Sequence, residues 1–264
     1  KVDTIFIYNH DYFLPETLEY IKQYSKIIYF LGDNPMYSHT YDKNLLILKY
    51  ADLIISPDSY WQKQLTELGY KNVVFGNFAN LPTINPFENP LPKTHDLLYI
   101  GYNHEYNWGY KKLLFLNKFS EFNLSIYGSG GAWDKWLQYF PELKKKYFPL
   151  KKRLSDKEYF NLISSSKLLI LELNPSFYNG FHIRFFEAIN AGCLPIIEYK
   201  SDLLNVFENI KVPTLKDFKH PKELINYYSN NENERLITVK NLYNYLNSSY
   251  MPGQLIQKYI ENYL

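Results

Sequence analysis

Short apolar runs rich in β-forming residues alternate along the chain with stretches whose apolar positions recur at helical spacing. Residues 4–8 (TIFIY), 26–31 (KIIYFL), 53–56 (LIIS) and 73–75 (VVF) read as strands. Between them, 15–24 opens with Pro and an early Glu, 45–50 is apolar at helical spacing, and 59–68 ends at Gly69. These are helix signals. Alternation of this kind predicts a parallel sheet with helices on its faces.

Four prolines then fall within 81–94 (LPTINPFENPLPKT). Proline fixes φ and removes a backbone donor, so such a stretch resists helix and sheet interior alike. It reads as a linker over 82–95. Beyond it the alternation restarts, with strands at 96–102, 123–127, 167–173 and 194–198. Helices are predicted at 111–119, 155–166, 183–191, 201–208 and 220–229, and a helical region over 234–264 is broken at Pro252 and Gly253. Ser155 with Glu158 three residues on is a capping-box signature. The pattern predicts an α/β protein of two Rossmann-like units, residues 1–81 and 96–253, of which the first is short.

Composition narrows this picture. Hydrophobic residues make up 46% of the 264, enough for packed cores. Lys, Asn, Ile and Tyr are all abundant, so an aromatic cluster alone does not mark a binding surface. The formal net charge of +2 leaves no electrostatic footprint for nucleic acid. Basic runs at 144–146 and 151–153 flank 147–150 and read as a solvated helix end and loop. The alternative sets Lys152 or Arg153 against a phosphate. The single cysteine, Cys193, excludes an intrachain disulfide and a Cys-rich zinc site, and a cytoplasmic setting fits it. No apolar run approaches the roughly 20 residues of a membrane span, and no signal-peptide pattern opens the chain. With no Asp-x-Asp triplet and only scattered histidines, no metal or other cofactor is expected.

The segment 174–196 (NPSFYNGFHIRFFEAINAGCLPI) carries the strongest chemical signal. It reads as a loop leaving a buried strand, then a helix, Gly192 and another strand. Open α/β sheets bind ligands at the C-terminal ends of their strands, and a helix that starts there offers backbone N–H groups to a phosphate. His182, Arg184 and Glu187 fall at or inside that helix start. A cation for a diphosphate and a carboxylate for ribose hydroxyls is one reading of Arg184 and Glu187. An intrahelical ion pair, worth about 0.3–0.5 kcal/mol, is the other.

Residues 180–192 (GFHIRFFEAINAG) resemble the donor-binding segment of GT-B glycosyltransferases. They are most similar to the spore-maturation-type branch, with its Arg-x-x-Glu followed by Ala and Gly, which is related to the retaining glycosyltransferases of family 4. The resemblance extends over about 95–200. Residues 98–103 (LYIGYN), with Gly101 and Tyr102, look like the opening strand of the donor domain, where Gly lets a phosphate approach. Residues 124–131 (LSIYGSGG), with Gly128 and Ser129, look like its second strand and turn. Arg153 and Leu154 lead into 154–159, which resembles a base-contacting segment. The resemblance implies that Glu187 binds the ribose, that Arg184 or His182 approaches the diphosphate, and that Asn174, Gly180 and Phe181 belong to the donor loop. Asn179 stands where the larger family often has a glutamate. Residues 29–35 (YFLGDNP) resemble the acidic segment of the same branch. The last helix, about 254–264, is expected to pack back on the N-terminal domain.

The implied activity is that of a metal-independent glycosyltransferase of the hexosyltransferase class, with a retaining mechanism. It would take a UDP- or GDP-linked sugar as donor and a glycan, protein or small molecule as acceptor. Retention needs no dedicated base, whereas inversion would assign that role to His10 or Asp33 at strand ends of the first unit. His10 and His39 also read as surface residues, and Asp33 as the start of an Asx-turn. A non-catalytic nucleotide- or sugar-binding module remains open, as does a DNA-base glucosyltransferase. A NAD-dependent oxidoreductase predicts Gly-x-Gly-x-x-Gly after the first strand, which neither 8–11 nor 101–104 supplies.

Overall fold

The structure is a computed structural model that describes residues 2–8, 13–36, 44–77, 85–129, 131–208, 210–216 and 220–264. Two parallel sheets divide the described residues. The first takes β1 (Thr4–Tyr8), β2 (Lys26–Phe30), β3 (Leu53–Ser56) and β4 (Val73–Phe75) in the order β1-β2-β3-β4. Helices α1 (Pro15–Lys22), α2 (Asn44–Leu48) and α3 (Ser59–Glu67) connect them. Pro at the start of α1 costs no hydrogen bond, because the first N–H groups of a helix have no intrahelical partner.

The second sheet contains β5 (His95–Tyr102), β6 (Leu124–Ser129), β7 (Tyr147–Leu150), β8 (Ser166–Leu171) and β9 (Leu194–Ile197). Its order is β7-β6-β5-β8-β9, and its four pairings are parallel. Helices α4 (Asn107–Asn117), α5 (Trp133–Leu137) and α6 (Pro141–Lys144) precede β7; α7 (Asp156–Ser164) and α8 (Arg184–Asn190) lie on either side of β8. The chain continues through α9 (Asp202–Phe207), α10 (Pro221–Asn230), α11 (Glu232–Ser249) and α12 (Pro252–Tyr263). The strand order reverses between β5 and β8, and that reversal opens a crevice at their C-terminal ends.

The α/β class and most strand positions agree with the pattern of the sequence. The basic runs at 144–146 and 151–153 are a helix end with its turn and an exposed loop, as expected. Between them Tyr147–Leu150, to which the pattern assigned no element, is the edge strand β7, paired to β6 from Ile126↔Tyr147 to Ser129↔Leu150. Its Pro149 is tolerated because an edge strand has one side free of ladder bonds. Residues 82–84 of the linker lie outside the described residues; 85–94 contain no strand or helix.

The C-terminal helix returns to the first sheet. Tyr259 and Leu264 pack on the cluster of Ile28, Phe30, Leu53, Ile55 and Val74, and the Tyr259 hydroxyl donates to Phe75 O at 2.7 Å. Among the described residues, no helix is long and apolar enough to cross a membrane.

Buried carboxylates join the two sheets: Asp202 of α9 accepts from Ser59 N at 2.8 Å, and Asp58 is fully buried at the N-terminus of α3. Its Oδ1 accepts from Tyr60 N (2.8 Å) and Trp61 N (3.3 Å), capping α3. Its Oδ2 accepts from Tyr178 N (2.8 Å), Asn179 N (3.0 Å) and Gly180 N (2.8 Å), on the loop between β8 and α8. A buried carboxylate is tolerated when its lone pairs are filled in this way. Nearby, Trp61 Nε1 donates to Ser176 O (2.9 Å) and Asn77 Nδ2 to Phe181 O (2.6 Å).

Candidate functional site

The crevice at the reversal point is a cavity of about 450 Å³. β5 supplies Gly101 and Tyr102, β6 supplies Ser129, and the segment after β7 supplies Arg153 and Leu154; α7 contributes Tyr159, and the start of α8 contributes His182, Arg184 and Glu187. A neighbouring cavity of about 160 Å³ shares Tyr102, His182 and Arg184 with it. Asn174, Glu172, Lys112 and Trp108 line that second space, and Asp33 reaches it from the first sheet.

Arg184 and Glu187 do not pair with each other. The Arg184 Nη1 donates to Ile100 O at 2.8 Å and lies over Gly101, where an added Cβ would sit 3.0 Å from it. Glu187 Oε2 accepts from the Tyr159 hydroxyl at 2.7 Å. The guanidinium therefore keeps most of its donors for the crevice, and the carboxylate is steadied from α7 rather than neutralised.

The backbone N–H groups of residues 184–187, at the start of α8, are occupied within the chain. Arg184 N donates to His182 Nδ1 (3.1 Å), Phe185 N to His182 O (3.0 Å), Phe186 N to Ile183 O (2.9 Å) and Glu187 N to Ile183 O (3.2 Å). Burial, followed by the charges of Arg184 and Lys112, depresses the His182 pKa to about 3, so its imidazole is neutral. With Nδ1 accepting, the proton belongs on Nε2, which makes that nitrogen a donor.

Lys112 is a further cation at this point, unmarked by any local pattern in the sequence. It is 4% exposed; its Nζ donates to Tyr102 O at 2.5 Å and lies 3.9 Å from Glu172 Oε2. Burial, opposed by Glu172 and reinforced by Arg184 and Lys111, brings its pKa down to about 8. Glu172 is held at Oε1 by Lys111 Nζ (3.1 Å) and Trp108 Nε1 (3.2 Å), while burial raises its pKa. Tyr8, at the end of β1, feels the site too: desolvation and then the charges of Asp33 and Glu187 raise its hydroxyl pKa.

Other residues singled out from the sequence do not line the 450 Å³ crevice. Asn179, Gly180 and the fully buried Phe181 sit at the joint with the first sheet. The Asn179 side chain donates to Ser59 Oγ at 3.0 Å, and a Cβ on Gly180 would meet Pro57 O at 2.3 Å. Gly128 lies under Trp133 and Tyr147, where a Cβ would come within 2.3 Å of Trp133 Nε1. Asn174 Oδ1 accepts from Ser176 N, an Asx-turn that shapes the loop. His10 and His39 lie outside the described residues. Among the described residues, no group of three or more His, Cys, Asp or Glu side chains converges as a metal site.

Comparison with known proteins adds the following. Residues 111–261 match the family described as "Glycosyl transferase-like", more than half of the chain. No curated protein matches it. Among solved structures, it resembles Anabaena HepE in complex with UDP and glucose, at 12% identity and a TM-score of 0.60, covering 97% of this chain and 77% of that one. It also resembles the N-terminal domain of Candida albicans trehalose-6-phosphate phosphatase, at 13% identity and a TM-score of 0.62, covering 99% and 70%. The T4 phage BGT in complex with UDP and Mn²⁺ aligns at 12% identity and a TM-score of 0.55, covering 94% and 79%. At such identities the likeness is one of fold: a Rossmann-like α/β architecture of the GT-B type.

Proposed function

The chain belongs to the glycosyl transferase-like family, and on that premise we propose that it transfers a sugar from a UDP- or GDP-linked donor to an acceptor hydroxyl. In this reading residues 96–253 form the donor domain, 1–81 a reduced acceptor domain and 82–95 the linker between them. The donor nucleotide occupies the 450 Å³ crevice, with its base toward Arg153 and Leu154. Glu187 accepts hydrogen bonds from the ribose. Arg184 and Lys112 meet the diphosphate, and His182 donates to it from Nε2.

The observation that carries this reading is the unpaired geometry of Arg184 and Glu187. Two opposite charges three residues apart on one helix would ordinarily pair across it. Here each is tied to a different element, and both line the crevice. The resemblance to nucleotide-sugar enzymes and the UDP bound by HepE support the choice of ligand.

The chemistry follows from charge. The departing nucleoside diphosphate accumulates negative charge as the glycosidic bond breaks. Fixed cations and N–H donors in a site shielded from water stabilise that charge without reorganising. We propose that Arg184, Lys112 and His182 do this without a metal ion. Under retention the acceptor hydroxyl attacks from the face the leaving group vacates, and the leaving phosphate accepts its proton. Under inversion, Asp33 or His10 would be the base. A cytoplasmic setting completes the reading.

Calorimetric titration with UDP, GDP, ADP and CMP, and then with their sugar conjugates, tests this. The account expects one diphosphate to bind clearly better than the rest and its sugar conjugate to be turned over. Binding of none would remove the donor site, and binding without transfer or hydrolysis would favour a non-catalytic module.

A further inference from the structure

A third cavity, of about 480 Å³, lies between the 85–94 segment, α7, the turn after α8 and α11. Its size falls within the roughly 300–1,000 Å³ of small-molecule pockets. Phe87 and Leu91 of the 85–94 segment, Phe160 of α7 and Leu236 of α11 give it an apolar wall. Among the described residues, its charged lining residues are Lys93 and Lys157, and no acidic residue lines it.

Lys93 makes this cavity unusual. Its Nζ donates to Ser164 O at 2.8 Å and to Gly192 O at 3.0 Å, tying the end of α7 to the turn after α8. An ammonium has three N–H donors, so one is left over. Among the described residues no carboxylate comes within 4.0 Å of it. Burial lowers its pKa, opposed in part by Cys193 and Glu232 and reinforced by the charge of Arg235. A cation beside an apolar wall, without a counter-ion, is costly unless an anion completes it.

We propose that this cavity binds an amphiphilic monoanion, a carboxylate carried on an apolar acyl or aromatic body. The carboxylate takes the third N–H of Lys93 and the charge of Lys157. The apolar body lies against Phe87, Leu91, Phe160 and Leu236. The site stands apart from the donor reading, since none of these residues lines the donor crevice.

Titration of the full chain with octanoate and with octan-1-ol tests the proposal. Octanoate should bind with Kd below about 1 mM, at least about tenfold tighter than the alcohol, which has the same chain length and no charge. Lys157→Glu should weaken octanoate by about tenfold. Lys93→Met should abolish binding; because Lys93 also holds two carbonyls, Leu236→Asp at an exposed position gives a second variant that keeps the fold and sets a like charge against the carboxylate. UDP affinity should stay within about twofold in Leu236→Asp. Failure of wild type to bind octanoate overturns the proposal, as does equal binding of octanol, or unchanged octanoate affinity in both Lys157→Glu and Leu236→Asp.

Discussion

The Tyr159 hydroxyl donates to the Glu187 carboxylate at 2.7 Å, from α7 across to α8. The contact joins two elements that flank β8, and it holds Glu187 at the crevice wall while Arg184, one turn earlier, reaches back over Gly101. Desolvation, and then the negative charge of Glu187, raise the Tyr159 pKa, so the phenol stays a donor at every working pH.

Removing that donor separates positioning from binding. Tyr159→Phe keeps the ring and loses one hydrogen bond to a charged group, worth about 1.5–3 kcal/mol. The melting temperature should fall by roughly 2–6 °C in scanning calorimetry. Affinity for the preferred nucleoside diphosphate should drop several-fold, because Glu187 then samples other rotamers. An unchanged affinity would mean that Tyr159 does not orient Glu187 for the ligand.

Lys112 sets the pH dependence. Its pKa in the free protein is near 8, below the ordinary lysine value of 10.5. A diphosphate favours the protonated amine. Affinity should therefore be flat below pH 7 and fall by up to about tenfold per pH unit above 8, with proton uptake on binding near pH 9. Calorimetry in buffers of different ionisation enthalpy reads that uptake directly, and Lys112→Met should abolish it. The same depressed pKa makes the protonated lysine a burden on folding, and that burden is relieved as pH rises from 8 toward 10.5.

Asp58 holds the joint. Asp58→Ala leaves five backbone N–H groups without their acceptor, each costing about 1–3 kcal/mol if it stays buried. Unfolding by urea should show a loss of at least roughly 3 kcal/mol, or a second transition as the two sheets separate. A variant as stable as wild type, with one transition, would show that the contact is incidental.

How much of this was legible in the sequence differs by residue. The strand–helix alternation and the capping box at Ser155 are local signals, and they appear where the pattern set them. β7 was hidden because its YFPL carries a proline and lies between basic runs that look like solvent. Arg184 and Glu187 were visible as types at a spacing, but only coordinates could separate an ion pair from two independent contacts. Asp58, Lys112 and Glu172 could not be found from the sequence, because their partners lie about 120, 60 and 60 residues away. Phe181 and Gly180 read as ligand-loop residues, yet the close approach that needs a glycine is to Pro57. A glycine shows that something passes close by, not what it is.

If Arg184 and Lys112 neutralise the leaving charge, as proposed, transfer needs no metal ion. Turnover of the preferred nucleotide sugar in EDTA should lie within about twofold of turnover with Mg²⁺ or Mn²⁺. Activity abolished by EDTA and restored by either ion would transfer the electrophilic role from these side chains to a cation.

The most direct test of the central claim compares Glu187→Gln and Arg184→Ala with wild type in calorimetric titrations against the preferred nucleoside diphosphate and its parent nucleoside. Glu187→Gln keeps the shape and one acceptor, and should weaken diphosphate and nucleoside alike by roughly tenfold to a hundredfold, on the scale of about 1.4 kcal/mol per factor of ten. Arg184→Ala should weaken the diphosphate by at least as much and leave the nucleoside within about twofold. If both variants remain folded by circular dichroism and bind the diphosphate as wild type does, Arg184 and Glu187 are structural residues and the donor site lies elsewhere.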